Sequence, residues 1–207
     1  MILHAKKIHT LLLEKTDKKL QELHRVIKAN GKLTLEKNNE SDLFLHLAKT
    51  ATGQQLSKQA ASTIWKRVHD TANSRNSKLI DFCIDKNTED LRQCGLSRNK
   101  IKALIGLAKA FHNNQISAPM LKKLDYDAMV AEITKLWGFG AWSADMTALF
   151  FFCKPDVWSL GDAALKRGIT KLANTDNVKE SVILDTVSPY KSYLALHIWK
   201  AIDTKVL

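Results

Sequence analysis

Residues 136–167 read LWGFGAWSADMTALFFFCKPDVWSLGDAALKR. Gly138 and Gly140 flank Phe139 in a turn too tight for most side chains. Upstream, Tyr126–Leu136 places its apolar residues at helical spacing. Downstream, Ala141–Phe152 runs without Pro or Gly, so the stretch reads helix, hairpin, helix. The second helix opens with backbone N–H groups that have no intrahelical partner, a ready place for an anion. Asp162 falls where a third helix begins. Aspartate is a favoured N-cap, and a helix N-terminus favours its ionised form.

Outward from this stretch, three prolines and eight glycines in 207 residues leave little to interrupt helices, and apolar spacing of three and four recurs along most of the chain. A first helix is expected over 3–15. Asp17 is positioned to cap a second, which buries Leu20, Leu23, Val26 and Ile27 and stops at Gly31. Residues 32–40 form a polar connection. Asp42 caps the next helix, and Gly53 then breaks the pattern and exposes Gln54 and Gln55. Ser57 or a neighbour starts a helix through Ile64, Trp65 and Val68. Short helices follow over 78–84 and 88–94, with Gly95 as a stop. Ser97 caps a longer one carrying Arg98, Lys100 and Lys102. Residues 113–119 read as a loop. Helices after Asp162 are expected to about Ala173, over 179–187 and over 189–202. The expectation is an all-α bundle of roughly ten helices. It forms a single domain over 1–207, with lobes at 1–40 plus 160–207 and at 41–159.

A net charge of +11 and a pI near 9.6 favour a polyanionic partner, nucleic acid ahead of membrane. No apolar run reaches spanning length, and the N-terminus lacks the layout of a secretory signal. Cys83, Cys94 and Cys153 are odd in number and far apart. They fit neither a disulfide framework nor a zinc or iron–sulfur pattern, and they read as buried apolar residues in a reducing compartment.

The hairpin LWGFGAWSA at 136–144 resembles that of the helix–hairpin–helix DNA glycosylase superfamily, roughly L-P-G-x-G-x-x-T-A. Trp137 stands for the usual proline and Ser143 for the usual threonine. The loop Pro155–Asp162 follows at the family's distance. Upstream, Gly53-Gln54-Gln55-Leu56-Ser57 with Ala60, Ala61, Ile64 and Trp65 is similar to the DNA-3-methyladenine glycosylase II branch. So are Gly95-Leu96-Ser97-Arg98 with Lys100, and Ser192-Tyr193 with Ala195, His197, Ile198 and Trp199. These ordered blocks span about residues 40–203. The larger members carry an N-terminal β-rich domain, for which this chain has no room.

What the resemblance implies is a monofunctional glycosylase that excises alkylated purines, 3-methyladenine foremost, in base excision repair. Asp162 is the implied catalytic carboxylate, steadying an oxocarbenium-like sugar and helping to orient water. Asp156 and Asp145 are rivals of lower rank. Bifunctional relatives place a Schiff-base lysine where this chain has Trp142, and Trp cannot act so. Trp142, Met146 and Trp199 are the implied base pocket, aromatic faces suited to a cationic base. Met146 departs from the tyrosine of better-known relatives. Gln55 is the implied wedge that fills the gap left by a flipped base. Gly138, Phe139, Gly140 and Lys166 are implied DNA contacts, and Arg98, Lys100 and Lys191 are further candidates for phosphate.

The resemblance also implies a sodium or potassium ion held by the backbone carbonyls of Thr134, Leu136 and Phe139, with no cofactor required for the reaction. The implied partner is double-stranded DNA containing alkylated bases, met by a monomer with no membrane attachment, at a bacterial nucleoid or in a eukaryotic nucleus. Two alternatives stay open: a glycosylase of the same superfamily for another damaged base, and a helical DNA-binding module without activity.

Overall fold

The computed structural model describes residues 2–36 and 42–207. Within them the chain forms thirteen α-helices, a single 3₁₀ turn and no strand. The helices are α1 (Ile2–Thr16), α2 (Gln21–Asn30), α3 (Leu43–Gly53), α4 (Lys58–Ser74), α5 (Leu79–Phe82), α6 (Thr88–Gln93), α7 (Arg98–His112), α8 (Ala118–Lys122), α9 (Tyr126–Thr134), α10 (Ala141–Phe150), α11 (Ala163–Thr175), α12 (Glu180–Val187) and α13 (Lys191–Asp203). No helix among the described residues is long and apolar enough to cross a membrane.

The expected all-helical class holds, with more and shorter helices than the rough ten. Several starts are set by side-chain caps, most of them marked in the sequence; Asp125, the cap of α9, is an addition. Asp42, Ser57, Ser97, Asp125 and Asp162 each accept a backbone N–H from the first turn of the helix they precede. Such a cap contributes about 1 kcal/mol. Asp17 does not cap α2, whose N-cap position is Leu20. The orphan amides are met from far along the chain instead. Asp176 accepts from Glu22 N at 2.8 Å and Leu23 N at 3.3 Å. Residues 113–119 are not all loop. Ser117 caps the short α8, and Pro119 sits in its first turn, where a missing N–H costs nothing. The polar connection expected over 32–40 lies partly outside the described residues.

The chain divides into two compact units, 1–36 with 153–207, and 37–152. In the first unit α2, α11 and α13 pack together, and α12 packs on α1. Leu23, Val26, Leu165, Leu172, Leu194 and Ile198 are buried there. A fully buried leucine contributes about 1.5–3 kcal/mol. Gly168 sets the α11–α13 approach: a Cβ there would lie 2.2 Å from Ile198 Cγ2. In the second unit α3 packs on α4, α7 and α10, and α9 packs on α10. Phe44, Leu47, Leu104, Leu107, Met129 and Leu149 lie in that core. Cys83 and Cys94 are buried and Cys153 is half-buried. Burial pushes the Cys83 thiol up to about 12, so it stays an unreactive apolar group.

Candidate active site

In the unit formed by 1–36 and 153–207, Asp162 is the N-cap of α11. Its Oδ1 accepts Leu165 N at 2.9 Å and the indole Nε1–H of Trp199, from α13, at 3.2 Å. Both residues are half-buried. The helix N-terminus and the indole N–H both turn positive partial charge toward the carboxyl group. Trp199, expected as a wall for a base, here also orients the carboxylate.

The loop before Asp162 is held from below. Ser192 Oγ donates to Lys154 O at 2.6 Å and accepts Val157 N at 2.9 Å, and Ser192 N donates to Pro155 O at 3.0 Å. Ser192 is fully buried, as is most of Ser159, while Leu160 is 82% exposed. A fixed loop thus carries one outward leucine two residues ahead of the carboxylate. The rival Asp156 is spent on structure: it accepts Lys191 N at 3.1 Å, Ser188 Oγ at 3.3 Å and Lys191 Nζ at 3.3 Å. Lys191, a candidate for phosphate, is thereby drawn into an ion pair. Lys166 is exposed on α11, along a shallow basic groove shared with Arg167 and Lys171.

In the unit formed by 37–152, the hairpin joins α9 to α10. Gly138 has a φ of +86°, and a Cβ there would meet Ala103 Cβ of α7 at 2.8 Å. Both facts require glycine. Phe139 is buried, and its N–H donates to Leu136 O at 3.1 Å. Gly140 is the N-cap of α10 and brings no side-chain cap. Trp142 is half-buried and Met146, one turn on, is buried. The other rival, Asp145, is buried and accepts the hydroxyl of Tyr126, the first residue of α9, at 2.5 Å. Burial and then that carboxylate hold the Tyr126 phenol well above its usual value. The pair ties together the two helices that flank the hairpin.

The glutamines after α3 divide into two roles. Gln54 Nε2 donates to Gly138 O at 3.1 Å and to the buried Ser143 Oγ at 2.9 Å. It bolts the end of α3 to the hairpin. Gln55 is exposed and left-handed, with a φ of +59°. Lys100 completes the bolt: its Nζ donates to Thr52 O at 2.7 Å and Gln54 O at 2.9 Å. Desolvation lowers its pKa. Lys100 therefore serves the α3 carbonyls, whereas Arg98 is exposed. The roles of Gln54, Ser192 and the Tyr126–Asp145 pair in holding these segments together are not legible in the sequence, where Asp145 reads as a rival carboxylate and Gln54 as an exposed glutamine. The adjacent Gln54-Gln55 and the Ser143 that opens an apolar helix were the only local hint of the first.

The carbonyls of Thr134 and Leu136 lie at the C-terminal end of α9 and just beyond it. Leu136 O already accepts Phe139 N–H but keeps a second lone pair, and the helix dipole is negative at this end, so carbonyl oxygens here suit a monovalent cation. Among the described residues no cluster of three His, Cys, Asp or Glu side chains is arranged to hold a metal.

The family model described as "HhH-GPD superfamily base excision DNA repair protein" matches residues 48–187. The chain is 23% identical over 182 residues to DNA-3-methyladenine glycosylase 1 of Schizosaccharomyces pombe, a match covering 85% of this chain and 80% of that one. Among solved structures, DNA-3-methyladenine glycosidase from Bacillus halodurans aligns with a TM-score of 0.69 at 25% identity, over 90% of this chain and 86% of that one. The S. pombe 3-methyladenine DNA glycosylase Mag1, in complex with abasic DNA, aligns with a TM-score of 0.78 at 22% identity, over 94% and 96%.

Proposed function

The chain belongs to the HhH-GPD superfamily of base excision DNA repair proteins, and from that membership we propose that it is a monofunctional DNA glycosylase that excises alkylated purines, 3-methyladenine foremost. The observation that carries the reading is the Asp162 carboxylate, seated on the α11 N-terminus and fixed by the Trp199 indole N–H.

The substrate is double-stranded DNA, bound by a monomer at a bacterial nucleoid or in a eukaryotic nucleus. Gly138, Phe139 and Gly140 bring the uncapped start of α10 to a phosphate. Lys166 meets the backbone. Gln55, at an exposed turn, fills the place of the flipped nucleotide. Trp142, Met146 and Trp199 receive the base, whose positive charge is drawn to indole faces. The bond between C1′ and the base nitrogen breaks, and its electron pair leaves with the base, which becomes neutral. Asp162 stabilises the positive charge left on the sugar, and water adds its oxygen to C1′ and gives up a proton. Trp142 carries no amine, so no Schiff base forms and an abasic site is the product. A sodium or potassium ion on the carbonyls of Thr134, Leu136 and Phe139 would supply positive charge for a phosphate.

Single-turnover release of bases from methylated duplex DNA, resolved by chromatography, tests this. The Asp162→Asn variant is expected to lose about 100-fold or more in rate, the scale of removing one electrostatic stabiliser, while its duplex affinity stays within a few-fold. Equal rates would move the chemistry to another residue. Salt-dependent DNA binding by wild-type protein that releases no alkylated base would leave either a glycosylase for another lesion or a non-catalytic DNA-binding module.

A further inference from the structure

Within the unit formed by 37–152, a cleft of about 550 Å³ opens beside the hairpin, lined from α6, α7 and Trp137. Ile101 and Ile105 give it buried apolar lining, and Arg92, Arg98 and Lys102 bring exposed cations to it. Lys109 also borders the cleft, but Asp85 pairs with it at 2.8 Å, so those two charges cancel locally. Among the described residues neither Arg92 nor Arg98 makes an ion pair. Trp137 is 46% exposed, and Lys102 Nζ lies 4.1 Å from the centre of its ring. That contact fixes both the ammonium and the indole at the mouth of the cleft.

A single exposed aromatic residue needs no explanation. This one is bracketed by three uncompensated cations on an apolar floor, and it is joined by one peptide bond to Gly138 of the hairpin. A nucleic acid strand alternates apolar sugar faces with phosphates at about 3.4 Å of helix rise per charge. One residue of protein chain spans a similar length. Trp137 is three residues from Gly140, the N-cap of α10, so it lies within the reach of a nucleotide or two from a phosphate placed there.

We infer that this cleft is a second DNA-backbone site, taking the stretch of duplex that adjoins the phosphate received by the hairpin. The indole packs on deoxyribose, and Arg92, Arg98 and Lys102 meet successive phosphates. These contacts position the duplex and carry no sequence preference. The inference rests on the reading of the protein as a DNA glycosylase, and it adds a footprint that the hairpin alone does not supply.

The test is binding of an undamaged, fluorescein-labelled duplex across a sodium chloride series. The triple variant Arg92→Ala/Arg98→Ala/Lys102→Ala is expected to reduce the slope of log affinity against log salt by roughly two to three, at about 0.9 for each phosphate that is no longer neutralised. Its affinity falls at least tenfold at low salt. Trp137→Ala is expected to weaken binding several-fold with the slope unchanged, because it removes packing and not charge. A charge-matched variant, Lys6→Ala/Lys18→Ala/Lys19→Ala, removes three exposed lysines of the other unit and keeps the wild-type slope. A triple variant that keeps the wild-type slope and melts normally overturns the inference. So does an equal slope change in the charge-matched control, which would mean that net charge alone was at work. Wild-type protein that shows no salt-dependent DNA binding would instead overturn the glycosylase reading on which the inference stands.

Discussion

α10 and α11 each present the positive end of a helix dipole, and they meet that charge in opposite ways. α11 supplies its own anion. Asp162 folds back on the first turn, and the helix start and the Trp199 indole hold its carboxyl group in place. α10 begins at Gly140, which has no side chain to spend on the first turn. The same backbone feature is thus met in two ways: one helix end holds the carboxylate that we propose for the chemistry, and the other, with no side-chain cap, is where we propose that a phosphate docks.

Disturbing the hairpin gives the largest expected effect on this contrast. Gly138→Ala places a side chain at a φ of +86° and against Ala103. We expect a loss of about 2–4 kcal/mol from strain and overpacking, read by denaturant unfolding. Next comes the exchange of one solution for the other. A Cβ at Gly140 would meet open space, and its φ of −99° suits any residue. Gly140→Asp should give α10 the kind of cap that α11 has. Stability is expected to hold or rise by a few tenths of a kcal/mol, while duplex affinity falls about tenfold because the added carboxylate repels phosphate. Unchanged affinity would break the comparison.

Acid should act on the unit that carries Asp162. His197 is buried, and its pKa is lowered to about 3 by desolvation, then by His9 and Lys200. Asn30 Nδ2 donates to its Nδ1 at 3.2 Å, which requires that nitrogen to be unprotonated. The unfolded chain binds the proton near 6.5, well above the folded value, so stability is present above about pH 6.5 and is lost as pH falls. The loss approaches about 1.4 kcal/mol per pH unit. Melting curves at pH 7 and pH 5 should show it, with a flatter dependence in His197→Gln. The smallest effect sharpens the comparison most. Asp162→Asn keeps an N-cap side chain, so thermal unfolding should shift by less than about 0.5 kcal/mol even though base release collapses. A large loss of stability would mean that the charge serves the fold rather than the reaction.

Local signals carried most of the fold. Ser57, Ser97 and Asp162 cap helices because a cap is a contact within three residues, visible in a sequence window. The cap of α2 was not visible there, because Asp176 reaches it from the far end of the chain. The same limit explains Gln54. Its neighbour Gln55 was the expected wedge, and only the packed structure distinguishes the glutamine that binds Gly138 and Ser143 from the one that faces solvent. Lys100 and Lys191 read as surface cations, yet one is bound by the α3 carbonyls and the other by Asp156. Charge is legible in a sequence; the partner that neutralises it is not. Conversely, the approach of Trp199 to Asp162 follows from α13 crossing α11 at Gly168, a tertiary fact that spacing alone does not contain.

The division of the chain has a consequence for how the protein is made. Residues 37–152 form a continuous unit, so all the segments that it packs together have been synthesised by residue 152. The other unit must wait, because its opening helices close only on segments synthesised last. α2 needs Asp176 to satisfy its first amides, and Asn30 needs His197. Trp199 reaches Asp162 only once α13 has emerged. A nascent chain would therefore hold its glycine turn early and gain a correctly oriented acid only at the end of translation.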